Sequence, residues 1–79
     1  MVKIGNIFLM GKVEIGNLVQ KRRVLLELKQ EDVAEMTGIT PKTIYLLEQG
    51  KGNPSLDTMQ KVLDVLGLEM ILQIKKLDE

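Results

Sequence analysis

The chain has 79 residues, which is enough for one small domain with a limited hydrophobic core. It contains no cysteine and no histidine, so a disulfide framework and the common zinc sites are excluded, and helical packing or oligomerisation must stabilise the fold. The 11 basic and 11 acidic side chains give zero formal net charge, which argues against a non-specific polyanion binder but not against a local basic patch.

The N-terminal residues 1–13 are rich in Ile, Phe, Leu and Val and include two glycines. This composition predicts either a short strand at Ile7–Met10 or a loose arm. Residues 14–27 follow with apolar side chains at helical spacing, which predicts a first helix. The stripe that this helix is expected to bury consists of Ile15, Leu18, Val19, Arg22, Leu25 and Leu26.

A second helix is predicted over residues 29–38, because acidic side chains fill its first turn and suit the helix dipole. Val33 and Met36 are expected to face inward, and Gly38 is expected to end the helix.

A third helix begins directly after this stop. Thr40 is a favourable N-cap, and Pro41 suits the first helical position, where a missing N–H removes no hydrogen bond. Gly50 closes the helix. Ile44 and Leu47 are predicted to hold it on the core, and its outer surface is predicted to carry Thr40, Pro41, Lys42, Tyr45 and Leu46.

A fourth helix and a strand complete the chain. Ser55 is the predicted cap of the helix, Gly67 ends it, and its apolar positions are Leu56, Met59, Val62, Leu63 and Leu66. Residues 68–75 alternate in polarity, which predicts a strand with Leu68, Met70, Leu72 and Ile74 on one face. We therefore divide the chain into an N-terminal strand or arm (1–13), a helical domain (14–67) and a C-terminal dimerisation strand (68–79).

The second and third predicted helices are joined by a turn of about three residues that contains glycine, which is the pattern of a helix-turn-helix. In that arrangement the second helix enters the DNA major groove with its N-terminal residues at the base edges. The alternative is an ordinary surface helix in a small bundle, and periodicity alone favours the two interpretations about equally.

The stretch LKQEDVAEMTGITPKTIYLLEQGKGNPSLDTMQKVLDVLGLEM resembles the Xre/Cro family of helix-turn-helix regulators over residues 15–67. The matching positions are Gln30, Ala34, Gly38, Ile39, Thr43, Ile44, Glu48, Gly50, Pro54, Leu63 and Leu66. The resemblance implies a mainly α, lambda-repressor-like domain of four to five helices, and the residue pattern adds short β-strands at both chain ends. The C-terminal strand makes the chain look similar to the HipB-type antitoxin branch, which represses its own operon and binds a HipA-type kinase toxin.

The resemblance also implies DNA-contacting residues. Its implied base-reading positions are Pro41, Lys42 and Leu46, and its implied phosphate or backbone contacts are Gln30, Thr43, Lys51 and Asn53. Lys42 is the strongest candidate for direct readout, since lysine can donate to guanine O6 and N7. With Thr40 and Tyr45 on the same surface, nine residues are expected at the DNA. Pro41 and Leu46 offer no hydrogen bond, so specificity is expected to depend partly on DNA shape.

Arg23 lies at the edge of the apolar stripe of the first helix, where an unpaired charge would be costly. The resemblance implies an ion pair with Glu48 that holds the third helix, and this structural role is favoured over a DNA contact. For Lys21 and Arg22, a solvated helix face and a phosphate contact both stay open.

The sequence departs from the family pattern at the turn between the first two helices. Glu27 stands where the family often has glycine, and Lys29 where it often has serine or threonine. Each departure costs about 1 kcal/mol, so a differently shaped turn is expected. Lys29 is itself a candidate phosphate contact.

No catalytic constellation or phosphate loop is recognisable, so an enzyme and a cofactor are not expected. No apolar run reaches the roughly 18 residues of a membrane span, and no signal-peptide pattern opens the chain, so a cytoplasmic protein is expected. The leading functional hypothesis is a sequence-specific, autoregulatory DNA-binding repressor. The alternative is a protein-interaction module that holds a partner such as a HipA-like kinase toxin.

A homodimer is expected, because two copies of the third helix could then read a palindromic operator in successive major grooves about 34 Å apart. The strand at 68–75 needs a partner strand, either from a second chain or from Ile7–Met10. The alternative dimer surface is the helix 4 face with Met59, Val62 and Leu66.

Overall fold

The computed structural model describes residues 11–72 and residue 74. Its four helices are α1 (Lys12–Leu25), α2 (Gln30–Thr37), α3 (Pro41–Glu48) and α4 (Leu56–Val65). They lie where the sequence pattern predicts them, with α1 displaced toward the N-terminus. Within the described residues, no helix is long and apolar enough to span a membrane.

The helix starts follow from their capping residues. The Thr40 hydroxyl accepts a hydrogen bond from the Thr43 N–H at 3.2 Å, and the Ser55 hydroxyl accepts one from the Thr58 N–H at 3.1 Å. These side chains satisfy N–H groups that have no partner within the helix. The helices α3 and α4 therefore begin at the positions that the two hydroxyl residues predict.

The turn between α1 and α2 has the unusual shape that its sequence predicts. Glu27 adopts a left-handed conformation with φ 59°, although it is not glycine. Lys29 makes no side-chain cap to α2, and instead its N–H donates to the Asp32 carboxylate at 2.7 Å. A carboxylate inside the first turn thus replaces part of the missing cap and also suits the helix dipole.

One small core holds the helices together. Its buried side chains come from all four helices and the residue after α4, and they are Val19, Val33, Ala34, Ile44, Leu47, Val62, Leu63 and Leu66. Ile15, Leu28, Ile39, Met59 and Leu68 pack around this cluster. Fully burying a Val, Leu or Ile side chain contributes about 1.5–3 kcal/mol, so a core of this size gives modest stability.

Several predicted core positions are wrong. Met36 is 57% exposed, because the buried side chains of α2 are Val33 and Ala34, and Met36 lies on a different face of the helix. On α1, Leu18, Leu25 and Leu26 are exposed, as is Leu56 at the start of α4. The buried face of α1 runs instead through Ile15, Gly16, Val19 and Arg23. Gly16 and Arg23 do not count as large apolar residues, so the spacing of apolar side chains does not indicate this buried face.

The predicted C-terminal strand is not present in the described residues of 68–74. A strand needs backbone hydrogen-bond partners, and the helices of a single chain offer none. Only Leu68 is anchored, since its N–H donates to the Leu63 carbonyl at 2.8 Å and its side chain packs against the core. Met70 is exposed, and Leu72 and Ile74 are 92% and 99% exposed. The predicted strand at Ile7–Met10 lies outside the described residues.

The alternative dimer surface on α4 consists largely of core residues. Val62 and Leu66 are both 0% exposed, because they pack into the core of their own chain, and Met59 packs beside them. Val62 and Leu66 are therefore not available to a second subunit, whereas Met59 is half-buried.

Candidate nucleic-acid interface

The turn between α2 and α3 is held by local hydrogen bonds. Gly38 has φ 76°, and its N–H donates to the Ala34 carbonyl at 2.8 Å. The Thr37 hydroxyl donates to the Val33 carbonyl at 2.7 Å and accepts from the Ile39 N–H at 3.2 Å. No atom lies within 4 Å of the place where a Cβ of residue 38 would stand. Residue 38 is therefore glycine because of its left-handed backbone conformation and not because a side chain would lack space.

The helix α3 has one buried and one outward face. Ile44 is 0% and Leu47 is 5% exposed, as the sequence predicts for the side chains that hold α3 on the core. The outward face carries Pro41, Lys42 and Tyr45, all exposed. Thr40 is exposed as well, whereas Thr43 and Leu46 are half-buried at the edge of this face. The structure thus brings the predicted base-reading and backbone-contacting residues of α3 to one surface.

Gln49 belongs to the same surface, although the family resemblance does not assign it a DNA contact. It is exposed and follows Lys42 and Tyr45 at the i+7 and i+4 positions that share one helix face. A glutamine side chain can bond adenine through N6 and N7. Extending the Lys42–Tyr45 spacing by one helical turn would have identified it.

The C-terminal end of α3 is held by a buried ion pair. The Arg23 Nε donates to Glu48 Oε2 at 2.6 Å, and the Arg23 Nη2 donates to Oε1 at 3.0 Å. The Glu48 side chain is 0% exposed and that of Arg23 is 12% exposed. The Arg23 Nη1 also donates to the Leu28 carbonyl at 2.8 Å. The pair that the resemblance implies is present and joins α1, α3 and the α1–α2 turn.

The hydrogen bond to Glu48 raises the pKa of Arg23 above its ordinary value, against the opposing effect of burial, and the charge of Glu48 raises it further. A base whose pKa rises on folding contributes stability below its unfolded pKa and loses that contribution only as the pH climbs through the folded pKa. The arginine therefore keeps its charge, and its contribution to the pair, throughout the ordinary pH range.

Gln30 is part of this ion-pair network. Its side-chain amide donates to Glu48 Oε1 at 3.0 Å, and the side chain is half-buried. The group that the resemblance assigns to a DNA phosphate is therefore engaged inside the protein. It links the start of α2 to the end of α3, while Lys29 beside it is exposed.

Close backbone contact with α1 also holds the end of α3. A Cβ on Gly16 would lie 2.5 Å from the Leu47 carbonyl oxygen and 2.6 Å from that of Glu48. At Gly50, with φ 72°, a Cβ would lie 2.8 Å from the Val13 Cα. Because only hydrogen fits at these positions, the two glycines allow α1 to cross α3 at backbone distance.

The basic residues of α1 have separate roles. The Arg22 Nε donates to the Leu66 carbonyl at 2.7 Å, so this guanidinium binds the C-terminal end of α4. Lys21 is exposed. Lys12 reaches the α3–α4 turn, where its ammonium donates to the Gly52 carbonyl at 2.7 Å and to Asn53 Oδ1 at 2.8 Å. Lys51 and Asn53, both predicted DNA contacts, lie exposed in this turn.

The sequence profile of the Helix-turn-helix family matches residues 19–72, which is more than half of the chain. The chain belongs to this family. An uncharacterised HTH-type transcriptional regulator of Methanothermobacter thermautotrophicus is 42% identical over 62 residues, covering 78% of this chain and 90% of that protein. The HTH-type transcriptional regulator PuuR of Escherichia coli is 42% identical over 55 residues, which cover 70% of this chain but only 30% of PuuR.

A solved structure gives the same picture. The restriction-modification controller protein C.AhdI of Aeromonas hydrophila superposes with a TM-score of 0.68 at 28% identity, covering 72% of this chain and 86% of that one. The predicted helical helix-turn-helix fold is confirmed, and the chain is a DNA-binding transcriptional regulator rather than an enzyme.

Proposed function

We propose that this protein is a sequence-specific repressor that binds a palindromic operator in front of its own gene. The observation that carries the proposal is the exposed outer face of α3, where Pro41, Lys42 and Tyr45 stand free of the core. The helix-turn-helix places the N-terminal end of such a helix at base edges. Lys42 is the proposed direct reader, through guanine O6 and N7.

Salt-dependent binding to the upstream DNA of the gene tests this proposal. Fluorescence anisotropy with that duplex and with a scrambled duplex, at several salt concentrations, should show tighter binding to the upstream DNA. The logarithm of affinity should fall linearly with the logarithm of salt concentration, because phosphate contacts release counterions. Equal affinity for both duplexes would contradict sequence-specific recognition.

We further propose that the repressor acts as a homodimer joined by its C-terminal segment. The support is the exposure of Met70, Leu72 and Ile74, three apolar side chains that a second chain could cover. Sedimentation at micromolar concentration should show a dimer, and deletion of residues 69–79 should lower both the dimer fraction and operator affinity. A truncated protein that stays dimeric would show that this segment does not join the subunits.

The same exposed segment supports a second candidate function, binding of a protein partner as in a HipB-type antitoxin. Under this proposal, Leu72 and Ile74 contact a HipA-like kinase rather than, or in addition to, a second copy. Co-expression with the product of the neighbouring gene and purification through a tag on this chain tests it. A partner that co-purifies with the full chain but not with the chain ending at residue 68 would support the antitoxin role.

A further inference from the structure

Lys12, the first residue of α1, bonds the α3–α4 turn across the fold. Its ammonium donates to two oxygens of that turn, the Gly52 carbonyl at 2.7 Å and Asn53 Oδ1 at 2.8 Å. An exposed lysine side chain normally keeps its rotamer freedom. Two simultaneous short bonds to residues of one turn restrict both partners, so Lys12 orients this turn.

The bond to Gly52 also determines where the next N–H points. In a planar trans peptide, the carbonyl and the following N–H point in opposite directions. Because the Gly52 carbonyl points at the Lys12 ammonium, the Asn53 N–H points away from that ammonium. Within the described part of the chain, the N–H groups of Gly52 and Asn53 donate to no protein acceptor, and both residues are exposed.

Left-handed glycines make this arrangement possible and place a cation beside it. Gly50 and Gly52 have φ 72° and 77°, conformations in which other residues are strained. Between these two glycines, the Lys51 N–H donates to the Leu46 carbonyl at 2.9 Å. The Lys51 ammonium makes no hydrogen bond to the described residues. The turn therefore offers one cation, the Lys51 ammonium, and two backbone donors, the N–H groups of Gly52 and Asn53. The Lys12 ammonium balances the partial negative charges of the two oxygens that it binds in this turn.

We propose that Lys12 is a positioning residue for DNA binding, which holds the Lys51–Asn53 turn so that the Lys51 ammonium and the Asn53 N–H bind one backbone phosphate. The inference rests on the proposed function, because the phosphate belongs to the DNA that α3 reads. Lys12 acts through the turn and leaves base recognition to α3.

The test compares Lys12→Met, Lys51→Met and the double variant, with Lys12→Arg as the conservative change. Lys61→Met on α4 is the charge-matched control, since the ion pair of Lys61 among the described residues is with Asp57, on the same helix. Affinity for the upstream duplex and for a scrambled duplex is measured over a range of salt concentrations. Chemical denaturation reports stability, and ¹H–¹⁵N spectra report the Gly52 and Asn53 amides with and without DNA.

Lys12→Met should weaken binding to both duplexes about fivefold near physiological salt, the effect of one lost phosphate contact. The Lys12→Met/Lys51→Met double variant should bind about as weakly as either single variant. Lys12→Arg should retain most of the affinity of the unsubstituted protein. The Asn53 amide resonance should shift on DNA addition in the original protein and much less in Lys12→Met. Lys61→Met should bind DNA like the original protein.

Three results would overturn the inference. Unchanged affinity of Lys12→Met would show that the turn does not depend on it. A further fall in salt slope when Lys12→Met is added to Lys51→Met would show that Lys12 contacts phosphate itself. An affinity loss matched by general unfolding would show a purely structural role. If the original protein shows no salt-dependent DNA binding, the proposed function fails, and this outcome is distinct from the other three.

Discussion

The two ends of α3 differ sharply in how the protein uses them. The C-terminal end, around Leu47 and Glu48, is buried, ion-paired and crossed by the backbone of α1. The N-terminal end, around Thr40 and Lys42, is exposed, and the Thr40 side chain caps it directly after the short turn from α2. A helix held firmly at one end can present the other to a ligand without using core side chains for recognition.

If α3 reads DNA through its exposed end, as proposed, this difference separates stability from recognition within the eight residues of the helix. Changes at Leu47 or Glu48 should lower the free energy of unfolding, and they should affect DNA binding only by shifting the whole helix. Changes at the N-terminal end should leave the fold nearly intact and alter binding.

The largest effect is expected from Arg23→Ala. The change leaves the Glu48 carboxylate fully buried without its counter-ion, and removing one partner of a buried pair typically costs about 3–5 kcal/mol. Urea denaturation should show this loss. Lys21→Ala, an exposed position on the same helix, should change the free energy of unfolding by less than about 0.5 kcal/mol.

A double-mutant cycle with Glu48→Ala then measures the pair itself. The double variant should lose less stability than the sum of the two single losses, because neither charge is left unpaired. Arg23→Lys keeps the charge but loses the two-pronged geometry, so it provides a milder variant if Arg23→Ala fails to fold. Strictly additive losses would show that the ion pair does not hold α3.

The ion pair also shows what the sequence could and could not predict. Arg23 and Glu48 lie 25 residues apart, and the residues alone indicated only a costly charge at the edge of an apolar stripe. The family resemblance supplied the partner. By contrast, local chemistry predicted the starts of α3 and α4, because Thr40, Pro41 and Ser55 act within one turn of their own position.

The features that the sequence pattern does not predict correctly depend on contacts between distant parts of the chain rather than on local chemistry. Apolar periodicity does not place Gly16 in the core, although its lack of a side chain is what lets α1 approach α3. The contact of Lys12 with the α3–α4 turn spans 40 residues and has no local signature. The alternating tail around Leu72 predicted a strand, but alternation does not supply the backbone partner that a strand needs.

Gly16→Ala is expected to have the second-largest effect on stability. Alanine in a helix interior usually stabilises by about 0.5–1 kcal/mol relative to glycine. Here the added Cβ would stand 2.5 Å from the backbone oxygen of Leu47, so overpacking should dominate and cost a net 1–3 kcal/mol or so. Urea denaturation should show a loss for Gly16→Ala and little change for the adjacent, exposed Asn17→Ala. A gain in stability for Gly16→Ala would show that α1 and α3 can separate easily.

Lys42→Ala addresses the exposed end, with an effect on binding rather than on folding. If Lys42 donates to guanine, the change should weaken binding to the upstream duplex by about 1–3 kcal/mol and relax the preference at one base pair. Anisotropy titrations with duplexes altered at single positions measure both effects, and the denaturation midpoint should stay nearly constant. Equal weakening on upstream and scrambled duplexes would assign Lys42 to the phosphate backbone instead.

The smallest effect is expected from Thr40→Ala, and a matched change on α4 makes it informative. Thr40 and Ser55 cap their helices in the same way, so alanine at either position should lower the free energy of unfolding by about 1 kcal/mol. Only Thr40 stands at the exposed end of α3. Thr40→Ala should therefore also weaken DNA binding, while Ser55→Ala should not, and Thr40→Ser should restore both properties. If the two alanine variants lose DNA affinity equally, the exposed end of α3 has no special role, and the division between the two ends of the helix is wrong.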